Sequence, residues 1–457
     1  MKIKIIALFI LMSVSAFAQD KEPEFKKRVL ENIEVDFLTS YYDQDGARSA
    51  VSGGLGSEKL ADVALNIIVA MPLNDDDVLT VDLGISAYTS ASSSNINPYD
   101  SGANPTPWQA SSGASQSDQL VSAVVNYSHN SDSRNFIWNT DVSFSNEYDY
   151  TSIGFGGGIA SLFNEKNTEL SLKVNAYLDQ WRPIYPKELD EYAIYGSNFV
   201  NQGYLAGRSI FNQNGLSTSA YAPSAFESIS GVKRNSFSAA LGFSQVLTKK
   251  LQVSFFTDIV QQQGLLSSPY HRIYFADKAN FYIGQPQYIS NYENASNVGV
   301  YKLADDIERL PDSRFKIPVG ARLNYYLSEK FIIRTYYRYY SDNWNIQAHT
   351  ANIELPIKLS DRFTVSPMYR YYAQTASKYY APNETHLSTE KYYTSDADLA
   401  AFDANQYGFG INYTDIFTAA KIWEFGIKNI DFRFNHYERS DHLQANIASI
   451  AFKFIMQ

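Results

Sequence analysis

Histidine is the side chain best suited to proton transfer and metal binding near neutral pH, and this chain has six. No two show the H-x-x-x-H spacing that puts two metal ligands on one helix face, and none has a convincing serine nucleophile beside it. A Ser–His pair can hydrolyse lipid, and His349 or His436 could serve one. Histidines without a catalytic role, in loops or at strand ends, explain the set more simply. We predict no catalytic residue and no metal site among the six, which are His129, His271, His349, His386, His436 and His442.

Charged side chains form a second candidate set, because they recur at alternate positions of partly apolar stretches. In the N-terminal half the set is acidic, with Lys173 as the exception, and comprises Glu34, Asp36, Asp62, Asp82, Asp141 and Asp258. In the C-terminal half it is basic, with Asp431 as the exception, and comprises Lys316, Arg322, Arg334, Arg338, Arg370, Arg433 and Lys453. Alternate residues of a strand share one face, so each set is expected to line a surface. Opposed acidic and basic rows would orient polar, hydrated solutes.

The elements that must carry these charges are stretches of alternating apolar and polar residues, each roughly 10 to 15 residues long. We predict about 16 strands, with 14 to 18 as the range. The last one ends the chain, with Ile450, Phe452, Phe454 and Met456 on one face. The predicted strands are 33–43, 59–71, 78–90, 117–129, 135–147, 151–163, 168–180, 234–247, 250–263, 313–327, 330–342, 345–358, 362–375, 405–414, 424–438 and 443–456.

The connections alternate between short and long, which predicts an all-β transmembrane antiparallel β-barrel. Connections after even-numbered strands are short, although segment 415–423 could hide a mispaired strand. Those after odd-numbered strands include the long segments 91–116, 181–233, 264–312 and 376–404. Since barrels have short periplasmic turns and long extracellular loops, both termini are expected in the periplasm. Loops 181–233 and 264–312 are each long enough to fold inward and narrow or plug the lumen.

Composition agrees with an exported membrane protein. Residues 1–18 combine a basic start, a short apolar run and Ala16-Phe17-Ala18, which predicts a signal peptide, followed by a periplasmic arm at 19–32 and a barrel over 33–457. Cysteine is absent, which excludes disulfides, lipoprotein anchoring and C-x-x-C-H haem attachment, so no cofactor is predicted. Aromatic residues make up 15% of the chain, as girdled barrels require. A net charge of -10 argues against a nucleic-acid partner.

The role of the inner charges has two interpretations that the sequence leaves open. The opposed rows could set the selectivity of a diffusion channel, since a barrel of about 16 strands is wide enough for an aqueous pore. Alternatively, neighbouring strands could pair the charges into salt bridges that brace the wall, as Asp431 could with Arg433 or Arg370. Tyr336, Tyr340 and Tyr372 share the inward parity and are candidate pore contacts.

Several strings give the chain a family resemblance: KKRVLE at 26–31, EVDF at 34–37, SYYDQDG at 40–46, PLNDDDVLT at 72–80, SAYTSASSSNINP at 86–98 and SSGAS at 111–115. The chain resembles a bacterial family catalogued as domain of unknown function 3570 over nearly the whole mature length. The resemblance implies an outer-membrane protein but no site residues. Genes of the family often neighbour small lipoproteins and flavin-attaching enzymes, which implies an extracytoplasmic electron-transfer system. Any redox cofactor would then belong to a partner, because this chain has no cysteine ligands.

Together these features predict a non-enzymatic outer-membrane barrel that acts as a porin-like channel for small polar solutes. The main alternative is a structural or docking barrel for an extracytoplasmic electron-transfer or cell-surface complex, and a weaker one is a lipid-acting enzyme at the rim. The expected partners are outer-membrane lipid, the barrel-assembly machinery and small lipoproteins or flavinylated redox proteins, with no nucleic acid.

Overall fold

A computed structural model describes residues 27–56, 58–88, 118–291 and 300–456. The predicted signal peptide, most of the predicted N-terminal arm and the predicted loop 91–116 lie outside these residues. Within the described ranges no helix is both long and apolar enough to cross a membrane.

The predicted all-β fold is confirmed, because the chain forms a closed antiparallel barrel of 16 strands. Each strand pairs with its neighbours in sequence, and β1 pairs with both β2 and the last strand, which closes the ring. The strands are β1 (Glu34–Asp45), β2 (Leu60–Pro72), β3 (Asp77–Tyr88), β4 (Asp118–Asn130), β5 (Phe136–Asn146), β6 (Tyr150–Phe163), β7 (Thr168–Trp181), β8 (Lys233–Thr248), β9 (Leu251–Gly264), β10 (Ser313–Tyr326), β11 (Ile332–Asp342), β12 (Gln347–Glu354), β13 (Phe363–Gln374), β14 (Phe402–Thr414), β15 (Phe425–Arg439) and β16 (Gln444–Met456).

Alternation along each strand sorts the side chains between the two faces of the wall. In β5, for example, Phe136, Trp138, Val142 and Phe144 are exposed on one face, and the residues between them are half-buried on the other. Large apolar side chains exposed on the outer face of a closed sheet are what a lipid environment requires. The alternate residues, which are mostly polar, lie on the inner face of the ring.

Short turns join the strands at one end of the barrel. After β2, the side-chain oxygen of Asn74 accepts hydrogen bonds from the N–H groups of Asp76 and Asp77, at 2.8 and 2.9 Å. Segment 415–423 is also a turn, because the Asp415 carboxylate accepts N–H bonds from residues 417, 419 and 420, and its short strand Lys421–Ile422 folds back on the start of β15. It therefore contributes no further barrel strand.

Strand β12 ends earlier than predicted. The alternating pattern continues to residue 358, but the ladder stops at Glu354 and resumes as a separate piece at Ile357–Lys358. Pro356 lies between the two pieces, and proline has no N–H to donate to a ladder. The backbone hydrogen bonding is therefore interrupted at a point where the alternation of apolar and polar residues continues.

At the other end of the barrel, four loops fold together into a body that we call the cap, formed by residues 46–56, 58–59, 182–232, 265–291, 300–312 and 375–401. It contains the only α-helix of the described residues, α1 (Lys187–Tyr195). Its remaining regular elements are the 3₁₀ turns Ala50–Ser52, Gly196–Asn201, Gly203–Leu205, Pro286–Asn291 and Ala397–Leu399, and the short strands Ile210–Asn212, Arg272–Ile273, Phe281–Gly284, Val300–Lys302 and Asp306–Ile307. These strands form two small sheets that are separate from the barrel sheet.

The buried hydrophobic clusters of the described residues lie in the cap rather than in the barrel. Leu189, Ile273, Ile283 and Ile307 are completely inaccessible to solvent there. A barrel of this size has too wide a lumen for its inner side chains to meet and form a core. The loops bury their own apolar residues, so the cap is a folded unit held by the barrel rim.

Candidate functional site

The charged residues of the second candidate set all lie on the face of their strands that points into the barrel. The register makes this explicit on the C-terminal wall, where Arg322 is opposite the inward Tyr336, Arg338 is opposite Thr350, and Arg370 is opposite Asn352. Tyr340 and Tyr372 share the same face. The structure thus places the predicted charges around one lumen, and their partners decide what each can do.

Closure of the barrel brings the first and last charges together instead of opposing them across the lumen. Lys453 of β16 lies 2.8 Å from Glu34 and 3.3 Å from Asp36, both on β1. Lys428 adds a second contact to Glu34 at 2.9 Å. At the seam of the ring, therefore, acids and bases brace the wall.

A second braced group lies on the C-terminal wall. Glu354 accepts contacts from Arg334 at 3.5 Å and Arg433 at 3.3 Å, and Arg433 also lies 2.8 Å from Asp431. Asp141 of β5 has a longer contact, 3.9 Å, with Lys173 of β7. These residues follow the wall-bracing interpretation.

The remaining inner charges are not braced in this way. Among the described residues, no oppositely charged side chain lies within 4.0 Å of Asp62, Asp82, Asp258, Lys316, Arg322, Arg338 or Arg370. Asp62 and Asp82 accept hydrogen bonds from Ser86 and Asn66, at 2.6 and 3.2 Å. Charges without ionic partners stay available to a solute. The arginines of this group cluster on β10, β11 and β13.

Above these strands, the cap reaches across the mouth of the barrel. Arg272, in the loop between β9 and β10, donates to the backbone oxygen of Val51, in the loop between β1 and β2, at 3.2 Å. In a ring of 16 strands these two hairpins lie on opposite sides, so their contact crosses the diameter. Gly53 permits the close approach: its φ is +72°, and a Cβ there would lie 2.6 Å from the Tyr274 ring.

The centre of the cap is a buried ion pair. Glu188, in the first turn of α1, is fully buried, and Arg272 donates to its two carboxylate oxygens at 2.8 and 3.3 Å. The Ala304 N–H donates to the same carboxylate at 3.2 Å. Because α1 belongs to the loop after β7 and Arg272 to the loop after β9, this pair fastens two loops together.

The cap also packs against the inner wall of the rim. Ala348, Ala404 and Ala445 lie on the inward parity near the loop ends of three strands and are at most 3% exposed. Small side chains at these positions let the cap lie inside the ring. Arg439, the last residue of β15, ties it there by donating to Asp398 at 2.5 Å and to the backbone oxygen of Ala397 at 3.0 Å.

One group in the cap has the composition of a metal site. His271, Glu308 and Asp396 place one ligand atom each within 4.8 Å of one another, and one imidazole with two carboxylates suits a divalent transition metal. Burial raises the pKa of Asp396, while Glu308 and Asp396 raise the pKa of His271 against its own burial. This group could not be recognised from the sequence, because its members come from two different loops.

The rim histidines that could have served a lipid hydrolase bond to other groups. His349 lies on the outer face with its Nδ1 atom 2.8 Å from the Tyr337 hydroxyl. His436, also outward, lies between Asn446 at 2.8 Å and Glu438 at 3.0 Å. A histidine that activates a serine needs a ring nitrogen directed at that serine. The described contacts give neither histidine this arrangement.

We predict that the cap loosens as the pH rises. Burial raises the pKa of Asp305 to about 6, so the folded cap favours its protonated form. The stabilisation is therefore present at low pH and is lost as the pH rises from about 4 through about 6, with an expected size of roughly 1–3 kcal/mol. Urea titration of the cap's protection from a protease, at about pH 4.5 and about pH 8 with protease activity normalised, measures it.

Two variants test the assignment. Asp305→Asn should reduce the difference between the two pH values, because the amide keeps the acceptor for the Phe275 N–H but does not titrate. Asp277→Asn is the matched control, since hydrogen bonds from Ser388 lower the pKa of Asp277 and its contribution has the opposite sign. An unchanged pH dependence in Asp305→Asn would contradict the prediction.

Comparisons with known proteins found a matching family model and several solved structures with low similarity. A family model described as "Protein of unknown function (DUF3570)" matches residues 3–450, and no curated protein matches the chain. Among solved structures, a bacterial polysaccharide outer membrane secretin is similar at 10% identity and a TM-score of 0.38, covering 92% of this chain and 97% of its own. OccK2 (OpdF) of Pseudomonas aeruginosa in complex with glucuronate is similar at 7% identity and a TM-score of 0.38, covering 95% and 99%. A mutant of the TodX monoaromatic hydrocarbon channel has 9% identity and a TM-score of 0.37, covering 94% and 91%.

Proposed function

This chain belongs to the protein family of unknown function DUF3570, and we propose that it is a porin-like outer-membrane channel for small polar solutes, with the cap controlling its outer mouth. One observation carries the proposal. The outer face of the barrel is apolar, while the inner face holds charged side chains, including Arg322, Arg338 and Arg370, that have no ionic partner among the described residues. A wall built only for support would pair its charges, as Glu354 and Lys453 do.

The cap supports a gated channel rather than a permanently open one. A body with its own buried core, lying across the diameter of the mouth, restricts entry more than a single inward loop does. Opening then requires local movement of the cap while the barrel stays intact, as in other gated sites where low-stability segments move on a stable frame. We propose that polar solutes enter when the cap opens and then pass the charged inner wall.

Planar-bilayer recording tests the proposal. The purified protein should give discrete current steps, rare in the wild type and frequent when the cap is destabilised. Current from neither form, at any voltage, would contradict the channel.

Ion selectivity provides a second prediction. Replacing Arg338 and Arg370 by Glu should shift the permeability ratio toward cations by roughly threefold or more, because these charges face the lumen without acid partners. Replacing Lys166 and Lys249 by Glu is the matched control, since these lysines lie in the short turns after β6 and β8 and the charge change is the same. Reversal potentials in a salt gradient measure the ratio. Equal shifts in the two double variants would contradict a selectivity role for the inner arginines.

A docking role is a second candidate, and the cap is the observation that favours it. A mouth crossed by contacts such as Arg272 to Val51 suits a barrel that presents a folded outer surface to another protein. We propose small lipoproteins or flavinylated redox proteins as the partner class for that case. The bilayer experiment separates the two roles, because a docking barrel conducts in neither the wild-type nor the cap-opened form.

A further inference from the structure

A chamber of about 700 Å³ lies on the C-terminal wall at the level where the cap begins. Its charged lining residues are Arg322, Arg338, Arg370, Arg439 and Asp398. Asp398 is already bound to Arg439, and Arg439 is bound to Asp441 as well. The lining therefore carries an excess of positive charge that the protein itself does not neutralise.

The three remaining arginines are held by uncharged neighbours. The Arg322 guanidinium lies over the Phe256 and Tyr336 rings, 5.3 and 5.6 Å from their centres. Arg338 lies 6.0 Å from the centre of the Tyr340 ring. Stacking of this kind fixes a guanidinium plane and leaves its N–H edge free to donate.

Arg370 is held by an amide rather than an aromatic ring. It donates to the Gln406 side-chain oxygen in a long bond of 3.4 Å, which uses one of its five N–H groups. Among the described residues no carboxylate lies within salt-bridge distance of Arg322, Arg338 or Arg370. All three can therefore bind an anion without breaking an existing ion pair.

The spacing of these arginines indicates a ligand with more than one anionic group. Arg322 and Arg338 are on adjacent strands, offset by two residues, because Arg322 is opposite Tyr336. Such diagonal neighbours lie roughly 7–8 Å apart. Arg370 follows two strands further, roughly 10 Å along the wall. One carboxylate would engage one guanidinium fork, so a ligand of two or three carboxylates or phosphates fits the set best.

We propose that this chamber is a binding site for a small organic anion bearing two or more carboxylate or phosphate groups. Asn352, Thr350 and Tyr372 line the same chamber and can hydrogen-bond the uncharged parts of such a ligand. The inference rests on the proposed channel function for its biological meaning, because it names the class of solute that passes. The binding itself is a property of the folded barrel.

Isothermal titration calorimetry on the purified full chain in detergent tests the site. Citrate should bind, tripolyphosphate should bind similarly, and acetate should bind at least roughly tenfold more weakly because it reaches one arginine only. Citrate binding with much weaker tripolyphosphate binding would assign the site to carboxylates, and the converse to phosphates. Both results support a polyanion site, whereas equal affinities for citrate and acetate would overturn it.

Arginine variants locate the binding. Arg338→Gln and Arg370→Gln should each weaken citrate roughly tenfold or more, the usual effect of losing a hydrogen bond to a charged group. Arg334→Gln is the control, because Arg334 lies on the same face of β11 as Arg338 but contacts Glu354 and does not line the chamber. It should change citrate affinity by less than about threefold. Equal losses in Arg334→Gln and Arg338→Gln would overturn the assignment.

Folding and conduction are scored separately. Retention of the barrel in each variant is checked by its circular dichroism and its resistance to protease, and a variant that fails is replaced by the corresponding lysine substitution. Citrate binding without current in cap-opened protein would support the anion site and contradict the channel. Current that responds to voltage without any citrate binding would support the channel and overturn the anion site.

Discussion

Replacing Glu188 by Gln should open the cap and leave the barrel folded. The substitution keeps the shape of the side chain but removes the negative charge that is paired with the guanidinium of Arg272, which is 1% exposed. Loss of one partner of a buried pair costs roughly 3–5 kcal/mol. That is a large part of what a small folded unit can supply. Hydrogen–deuterium exchange should show faster exchange at residues 187–195, 272–275 and 303–307, with the barrel strands unchanged.

Two further variants determine whether the charge is the cause. Replacing both Glu188 and Arg272 by Met removes the buried positive charge together with its carboxylate partner and should restore much of the protection. Asp190→Asn, also in α1, breaks only the partly exposed contact with Lys187 at 3.3 Å and should cost less than about 1 kcal/mol. If the glutamine variant keeps wild-type protection, the ion pair does not hold the cap.

The same variant links the cap to conduction. In planar bilayers, Glu188→Gln should give more frequent current steps than the wild type, while the paired Met variant should return toward wild-type behaviour. The selectivity should not change, because the inner arginines are untouched. A change in selectivity without a change in step frequency would mean that the cap lies beside the solute path rather than across it.

The barrel was predictable because lipid imposes one simple requirement on every strand. Outward residues that face lipid are mostly apolar and inward residues mostly polar, so Ile450, Phe452 and Phe454 can be assigned to the outer face from their spacing alone. The one clear boundary error, at β12, comes from Pro356, which changes the pairing without interrupting the alternation. Periodicity reports which face a residue occupies but not whether its backbone is paired.

The partners of the inner charges were harder to predict, since they depend on register. Arg334 and Arg338 are equivalent in the sequence pattern, yet Arg334 is opposite Glu354 and Arg338 is opposite Thr350. Because of this difference, Arg334 braces the wall through an ion pair, whereas Arg338 has no ion pair among the described residues. The register of the hairpin determines this difference. For Lys453 the partners are determined by closure of the ring, because they lie more than 400 residues away in the sequence.

The cap could not be predicted because its order comes from contacts between loops. Leu189 and Ile307 belong to one buried cluster and Ile283 to another, and no periodic pattern in the sequence predicts either cluster. Length and composition showed only that loops 181–233 and 264–312 could fold inward. The group of His271, Glu308 and Asp396 was missed for the same reason, since metal-site motifs describe ligands on one continuous segment.

Replacing Arg439 by Met should release the loop 375–401 from the barrel wall. The side chain is 5% exposed and is bound to Asp398 and Asp441, and its guanidinium lies 3.8 Å from the centre of the Phe402 ring. Because Asp441 is also buried, the variant leaves an unpaired buried carboxylate, at a cost of roughly 3–5 kcal/mol. Hydrogen–deuterium exchange at residues 397–400 should accelerate, while strand β15 stays protected.

Arg433→Met is the matched control, because Arg433 lies on the same face of the same strand and is also ion-paired, with Asp431 and Glu354. Its side chain is 45% exposed, so water replaces the lost pairs and the cost should stay near 1 kcal/mol or below. Arg439→Met should also weaken citrate binding, since it removes one positive charge from the chamber and frees the negative charge of Asp398 beside it. Equal destabilisation by the two variants would show that burial does not determine the strength of these ion pairs. An unchanged citrate affinity in Arg439→Met would show that Arg439 anchors the cap but takes no part in anion binding.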